Sequence, residues 1–295
     1  MFRNLRFYKI ENLWPDSEEA LSTALEQAAF EPCGPFTERS SGFMPVAPDA
    51  SDALARRVSG ADLIRLRSQS RVLPAGVINE ELETRIAEFR ERAKEEPSPR
   101  DKRRMKSEAK DELMPKAMLK SDKIWGYVDL KEKVLGIDAA LPSANERFLR
   151  RLSAGVAGAQ FMPLTFKKPV EDLLTRILLG NSPANFAIGR ECRMQDTGDA
   201  KSKVRWTDFD LHDNAIRNLI ADGLKLTHLA VVYDNVLSFV LDENGVITKL
   251  RVLGMNDDDT EFDSALQRMD AEFVLTSGLL RHFLGDMKKQ LDGYA

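Results

Sequence analysis

Apolar and polar positions first fall into period-two alternation. Leu5 and Phe7, followed by Tyr8-Lys9-Ile10, predict an opening strand. Pro15-Asp16-Ser17-Glu18-Glu19 then reads as a helix start, with a capping side chain and acids in the first turn. Leu21, Ala24, Leu25 and Ala28 recur at helical spacing behind it. Residues 30–48 hold four prolines and two glycines and are expected to be irregular, apart from a short extended piece near Phe43–Val46. Asp62-Leu63-Ile64-Arg65-Leu66-Arg67 alternates again. It predicts a strand that buries one face and turns Arg65 and Arg67 to the same polar side.

From Asn79 the period becomes helical, with Leu82, Ile86 and Phe89 on one face among many charges. Pro97-Ser98-Pro99 breaks that helix. A second helix is expected from about Arg100 to Met114, with only Met105, Ala109 and Leu113 as its apolar line. Two helices so poor in apolar residues are expected to project from the body. Segments 124–130 and 134–138 predict a hairpin, and Ser143 is expected to cap a helix through Phe148 and Leu152. An extended stretch at 160–166 and a helix at 169–179 lead to a turn at Gly180-Asn181-Ser182-Pro183. Strands are expected at 186–194 and 202–209, then a short helix ending at Gly223. A three-stranded meander over 224–253 and a helical C-terminus from about Phe262 complete the reading.

Composition narrows the class. The 295 residues are 43% hydrophobic and 31% charged, a globular balance with room for two or three domains. No run is long and apolar enough to span a membrane, and the first ten residues lack a signal-peptide core. Two distant cysteines, Cys33 and Cys192, make no disulfide framework; a reducing cytoplasm is the expected setting. The formal charge of −4 excludes a uniformly basic coat. The charge is uneven, however. Residues 234–295 hold 12 acids and 6 bases, whereas residues 100–123 hold nine bases and five acids. A second basic stretch carries Arg56, Arg57, Arg65, Arg67 and Arg71 against Asp62.

Candidate chemistry is sparse. There is no phosphate loop, no dinucleotide glycine fingerprint and no serine elbow, and His212, His228 and His282 are isolated. Asp257-Asp258-Asp259 invites a metal reading, but no calcium-loop spacing follows; a solvated acidic turn that repels DNA is the simpler reading. Arg103, Lys106 and Lys110 share a helix face, with Lys102 beside it. Such a line suits successive phosphates, or equally a solvated face balanced by Asp101, Glu108, Asp111 and Glu112. Trp206 and Phe209, near Lys201, Lys203 and Arg205, suit base stacking or a core role.

Several segments carry a likeness in order and spacing. They are Phe2-Arg3-Asn4-Leu5-Arg6-Phe7-Tyr8-Lys9, Phe30-Glu31-Pro32-Cys33-Gly34 and Leu113-Met114-Pro115-Lys116-Ala117-Met118 with Trp125 and Asp129. Pro163-Leu164, Lys168-Pro169 and the run from Arg268 to Gly278 follow. Together they resemble the bacterial recombination-associated RdgC family over nearly the whole chain. The resemblance implies a non-enzymatic, sequence-independent binder of double-stranded DNA. It implies a homodimeric ring with a basic hole, no cofactor or metal, and restraint of a RecA-type recombinase. It also implies a cytoplasmic, nucleoid-associated location. Two positions depart from the family pattern. Met118 stands where the family commonly has a phenylalanine that packs into the partner. The family's basic run before an Asp-Leu pair is replaced by Thr207, Asp208 and Phe209 ahead of Asp210-Leu211.

The expectation is therefore an α+β chain of antiparallel sheets with flanking helices, in three parts. Residues 1–75 and 119–180 form a central α+β domain, 76–118 a helical tip and 181–295 an α+β base. DNA contacts are expected from Arg65, Arg67, Lys102, Arg103, Lys106, Lys110, Lys116 and Lys123, and a dimer contact from Met118. Two other classes stay open: a metal-dependent nuclease using Asp257–Asp259, and a protein-interaction scaffold that does not bind DNA.

Overall fold

The computed structural model describes residues 1–48, 52–199, 201–254 and 264–295. The fold is α+β, with two antiparallel sheets of seven and five strands. Contacts divide the chain into a larger unit (1–27, 45–65 and 124–295) and a smaller one (28–44 and 66–123). Two of the four boundaries fall inside long strands, β4 (Ala61–Val72) and β5 (Met118–Asp129).

In the larger unit, β1 (Arg6–Glu11) pairs with β6 (Val134–Ile137) on one side and with β7 (Gln160–Pro163) on the other. The second half of β5 pairs with β6 as the expected hairpin, with Tyr127 opposite Gly136. β3 (Ala55–Val58) pairs with the first half of β4. Helix α1 (Glu18–Glu26) starts at Ser17, whose hydroxyl accepts from the Ala20 N–H at 3.1 Å, as its sequence predicts. Helix α4 (Pro142–Gly155) differs from expectation: proline occupies its first turn, so Ser143 lies inside it and Leu141 precedes it without a side-chain cap.

The five-stranded sheet also belongs to the larger unit. Its order is β12 (Ile247–Val252), β11 (Leu237–Asp242), β10 (Leu224–Tyr233), β8 (Phe186–Asp196) and β9 (Lys203–Thr207). Helices α5 (Val170–Leu178) and α6 (Asn214–Ala221) flank it. One long helix, α7 (Ala265–Gln290), serves both sheets. Its Phe273 meets Phe2 and Tyr127 edge-on, each with ring centroids 6.5 Å apart. Ten residues later Phe283 meets Tyr233 at 5.4 Å and Phe239 at 5.0 Å. At about 1.5 Å rise per residue those two rings stand roughly 15 Å apart along the helix. One amphipathic face therefore buries aromatic surface against two sheets.

In the smaller unit, β2 (Arg39–Phe43) pairs with the second half of β4, from Arg39 opposite Ser70 to Phe43 opposite Leu66. Helices α2 (Ala75–Ala93) and α3 (Pro99–Leu113) form a charged pair. α2 has no buried residue, and α3 buries only Met105 and Ala109. Ion pairs help join them: Arg85 reaches Glu81 at 2.9 Å on its own helix and Glu112 at 2.7 Å on the next. No described helix is long and apolar enough to cross a membrane.

Candidate nucleic-acid interface

β4 does not present its arginines to solvent in the way its alternation predicts. Leu63 and Ile64 are both buried, so both faces of the strand are covered at that point. Asp62 is also buried, which its charge would forbid without partners. Arg57 supplies a two-pronged pair at 2.6 and 2.8 Å, and the Trp14 indole N–H donates at 2.7 Å. In the larger unit the Arg65 guanidinium lies 4.5 Å from the Trp125 ring centroid. Burial holds its pKa below the ordinary arginine value. In the smaller unit Arg67 covers Phe30 at 4.6 Å and donates to the Ser121 hydroxyl at 3.3 Å. Both side chains are half-buried, with aromatic partners, rather than free on a polar face.

On α3 the expected face is real, but its members differ. Met105 and Ala109 are buried, while Arg103 and Lys106 are exposed. Lys106 donates to the Asn79 side chain at 3.1 Å, and Lys110 pairs with Glu38. The Glu38 hydrogen bond raises the Lys110 pKa. Among the described residues, no side-chain hydrogen bond or ion pair engages Lys102, Arg103, Lys116 or Lys123. Lys116 sits in a single 3-10 turn, Met114–Lys116, and Lys123 lies in the exposed first half of β5. Met118 opens β5 and is 78% exposed.

Sequence reasoning passed over what holds Met118 in place. The Arg71 guanidinium donates to the carbonyls of Met114, Pro115 and Ala117 at 3.1–3.2 Å, and to Gly34 at 3.0 and 3.1 Å. One planar cation thus ties the loop at Gly34 to the turn that leads into Met118. The Gln69 side chain accepts from the Cys33 N–H at 2.9 Å and anchors the same loop. Backbone carbonyls have no signature in the sequence, so only the basic stretch pointed toward Arg71.

Of the aromatic candidates, Trp206 packs against the core of the larger unit, whereas Phe209 is 43% exposed. Among the described residues no group of three His, Cys, Asp or Glu side chains is placed to hold a metal ion. The Asp257–Asp259 run lies outside the described residues.

The family model described as "Putative exonuclease, RdgC" matches residues 1–294. The chain belongs to the RdgC family. Curated relatives carrying the name Recombination-associated protein RdgC resemble it over almost their whole length. The one from Xanthomonas campestris pv. campestris (strain B100) is 29% identical over 285 residues, 95% of this chain and 94% of that protein. Those from Sodalis glossinidius (28% over 298 residues) and Herminiimonas arsenicoxydans (27% over 295 residues) cover 98% of their own length. The segments that carried the RdgC resemblance include architectural positions. Phe2 and Phe273 belong to one aromatic cluster, and the 30–34 and 113–118 segments are the two loops joined through Arg71.

Proposed function

We propose that this RdgC-family protein is a sequence-independent double-stranded DNA binder. It acts as a homodimeric ring and restrains a RecA-type recombinase. The observation that carries the DNA reading is the amphipathic build of α3. Met105 and Ala109 turn inward, and Arg103 and Lys106 remain exposed on a helix with almost no other apolar content. Cations held this way neutralise phosphates without reading bases, since the duplex backbone is uniform in charge. Arg65, Arg67, Lys102, Lys110, Lys116 and Lys123 are the further contacts of this reading. The exposed Met118 is its dimer contact; a flexible thioether adapts to a partner pocket as a less specific substitute for an aromatic ring. In this reading the protein is cytoplasmic and nucleoid-associated and works without a cofactor.

The test is a titration of two duplexes of unrelated sequence at low salt. Equal affinities are expected, and Arg103→Glu/Lys106→Glu should weaken both alike. No binding to either duplex contradicts the proposal and favours a scaffold. Adding the protein to a RecA-type recombinase should also lower its DNA-dependent ATP hydrolysis.

The family description favours a second reading, as an exonuclease. It requires loss of terminal nucleotides when end-labelled DNA is incubated with the protein and magnesium or manganese. Intact label over hours removes it.

A further inference from the structure

The five-stranded sheet carries a charge cluster that none of the expected contacts includes. Glu191 on β8 is nearly buried, with its side chain 9% exposed. Its carboxylate accepts from Arg205 of the edge strand β9 at 2.8 Å and pairs with Lys249 of β12. Arg193, two residues along β8, approaches the same carboxylate at 3.6 Å. Burial alone would raise the Glu191 pKa, but Lys249 and Arg205 outweigh it and hold the carboxyl below its ordinary range. The group therefore stays ionised at neutral pH.

The cluster has three cations and one acid. Arg193, Arg205 and Lys249 are 39%, 48% and 52% exposed, so each offers further N–H groups to solvent. Arg193 faces Arg205 directly across the β8–β9 ladder. Two cations side by side repel, and the shared carboxylate beneath them is what makes that placement tolerable. Lys203 lies two residues along β9 and on the same side as Arg205, which extends the cationic line. Three cations on one carboxylate leave this cluster net positive, and a phosphate polyanion complements such a charge.

We infer that this sheet face is a phosphate-binding surface for duplex DNA, and that Glu191 is its positioning residue. The inference rests on the DNA-binding reading above and adds a second contact surface to it. A phosphate meets the outward N–H groups of Arg205, Arg193 and Lys249, while Glu191 holds inner ones of Arg205 and Lys249. The side chains are thus ordered before DNA arrives, and less rotamer entropy is lost on binding.

The test measures fluorescence anisotropy of a labelled duplex against salt, with circular dichroism to confirm folding. Arg205→Gln alone, on the exposed edge strand, leaves the Glu191–Lys249 pair in place. Arg205→Gln/Lys249→Gln should flatten the slope of log K against log salt by about 1.8, two phosphates' worth, and weaken affinity at least about tenfold. Glu191→Gln raises the net charge by one, so bulk electrostatics alone gives tighter binding. Positioning by Glu191 gives weaker binding instead. Tighter binding by Glu191→Gln overturns the positioning role, and unchanged slopes in the arginine and lysine variants overturn the surface. Absence of binding by the unaltered protein refutes the DNA reading itself, a result distinct from either.

Discussion

Arg71 is one residue whose replacement should be felt well beyond its own strand. It donates to the carbonyls of Gly34, Met114, Pro115 and Ala117. Hydrogen bonds to a charged group contribute roughly 1.5–3 kcal/mol, and lysine cannot span four carbonyls with one ammonium. Arg71→Ala and Arg71→Lys should both lower stability, the alanine by about 2 kcal/mol in urea unfolding. Asp286 offers a pH signature. Burial opposes its ionisation, but hydrogen bonds from Tyr233 at 2.7 Å, Lys289 at 3.0 Å and Asn185 at 2.7 Å hold its pKa below the usual value. A depressed carboxyl stabilises the fold above its unfolded pKa, about 3.9, and that contribution is lost as pH falls through the folded value. The stability gap between the native protein and Asp286→Asn should thus be full at neutral pH and shrink in acid. Neither residue stands out in the sequence, because the partners of Arg71 are backbone carbonyls and two of those of Asp286, Tyr233 and Asn185, are distant along the chain.

Most elements could be read from periodicity because each buries one face. The meander over 224–253 and the α3 line of Met105 and Ala109 are examples. β4 misled for a physical reason: its alternating arginines lie over Trp125 and Phe30, and its acid is neutralised by Arg57. Alternation reports polarity, and a cation over an aromatic ring is both polar and half-buried. β2 carries an equally hidden constraint. A Cβ added at Gly42 would sit 2.3 Å from the Ala29 carbonyl oxygen, since Phe43 bonds the backbone of Ala28 and Phe30 there. Gly42→Ala must push the 28–30 segment away from β2, at a cost of about 1–3 kcal/mol. A thermal unfolding midpoint equal to that of the unaltered protein would show that the segment gives way freely.

For the whole molecule, the net charge of −4 excludes a uniformly basic coat. Its distribution matters more: the candidate cations lie on β4, on α3, on the 113–123 segment and around Glu191, and each group is partly exposed. The ring reading requires a dimer. Sedimentation should give about twice the 33.2 kDa chain mass. Met118→Asp should shift that mass toward the monomer with the fold intact; an unchanged dimer removes Met118 from the contact. The most direct test of the central claim is the salt dependence of affinity for a duplex of arbitrary sequence. Binding through phosphates predicts a linear fall of log K with log salt, with a slope of about −4.5 or steeper if five or more phosphates are neutralised. A flat response, or no binding at low salt, contradicts the account.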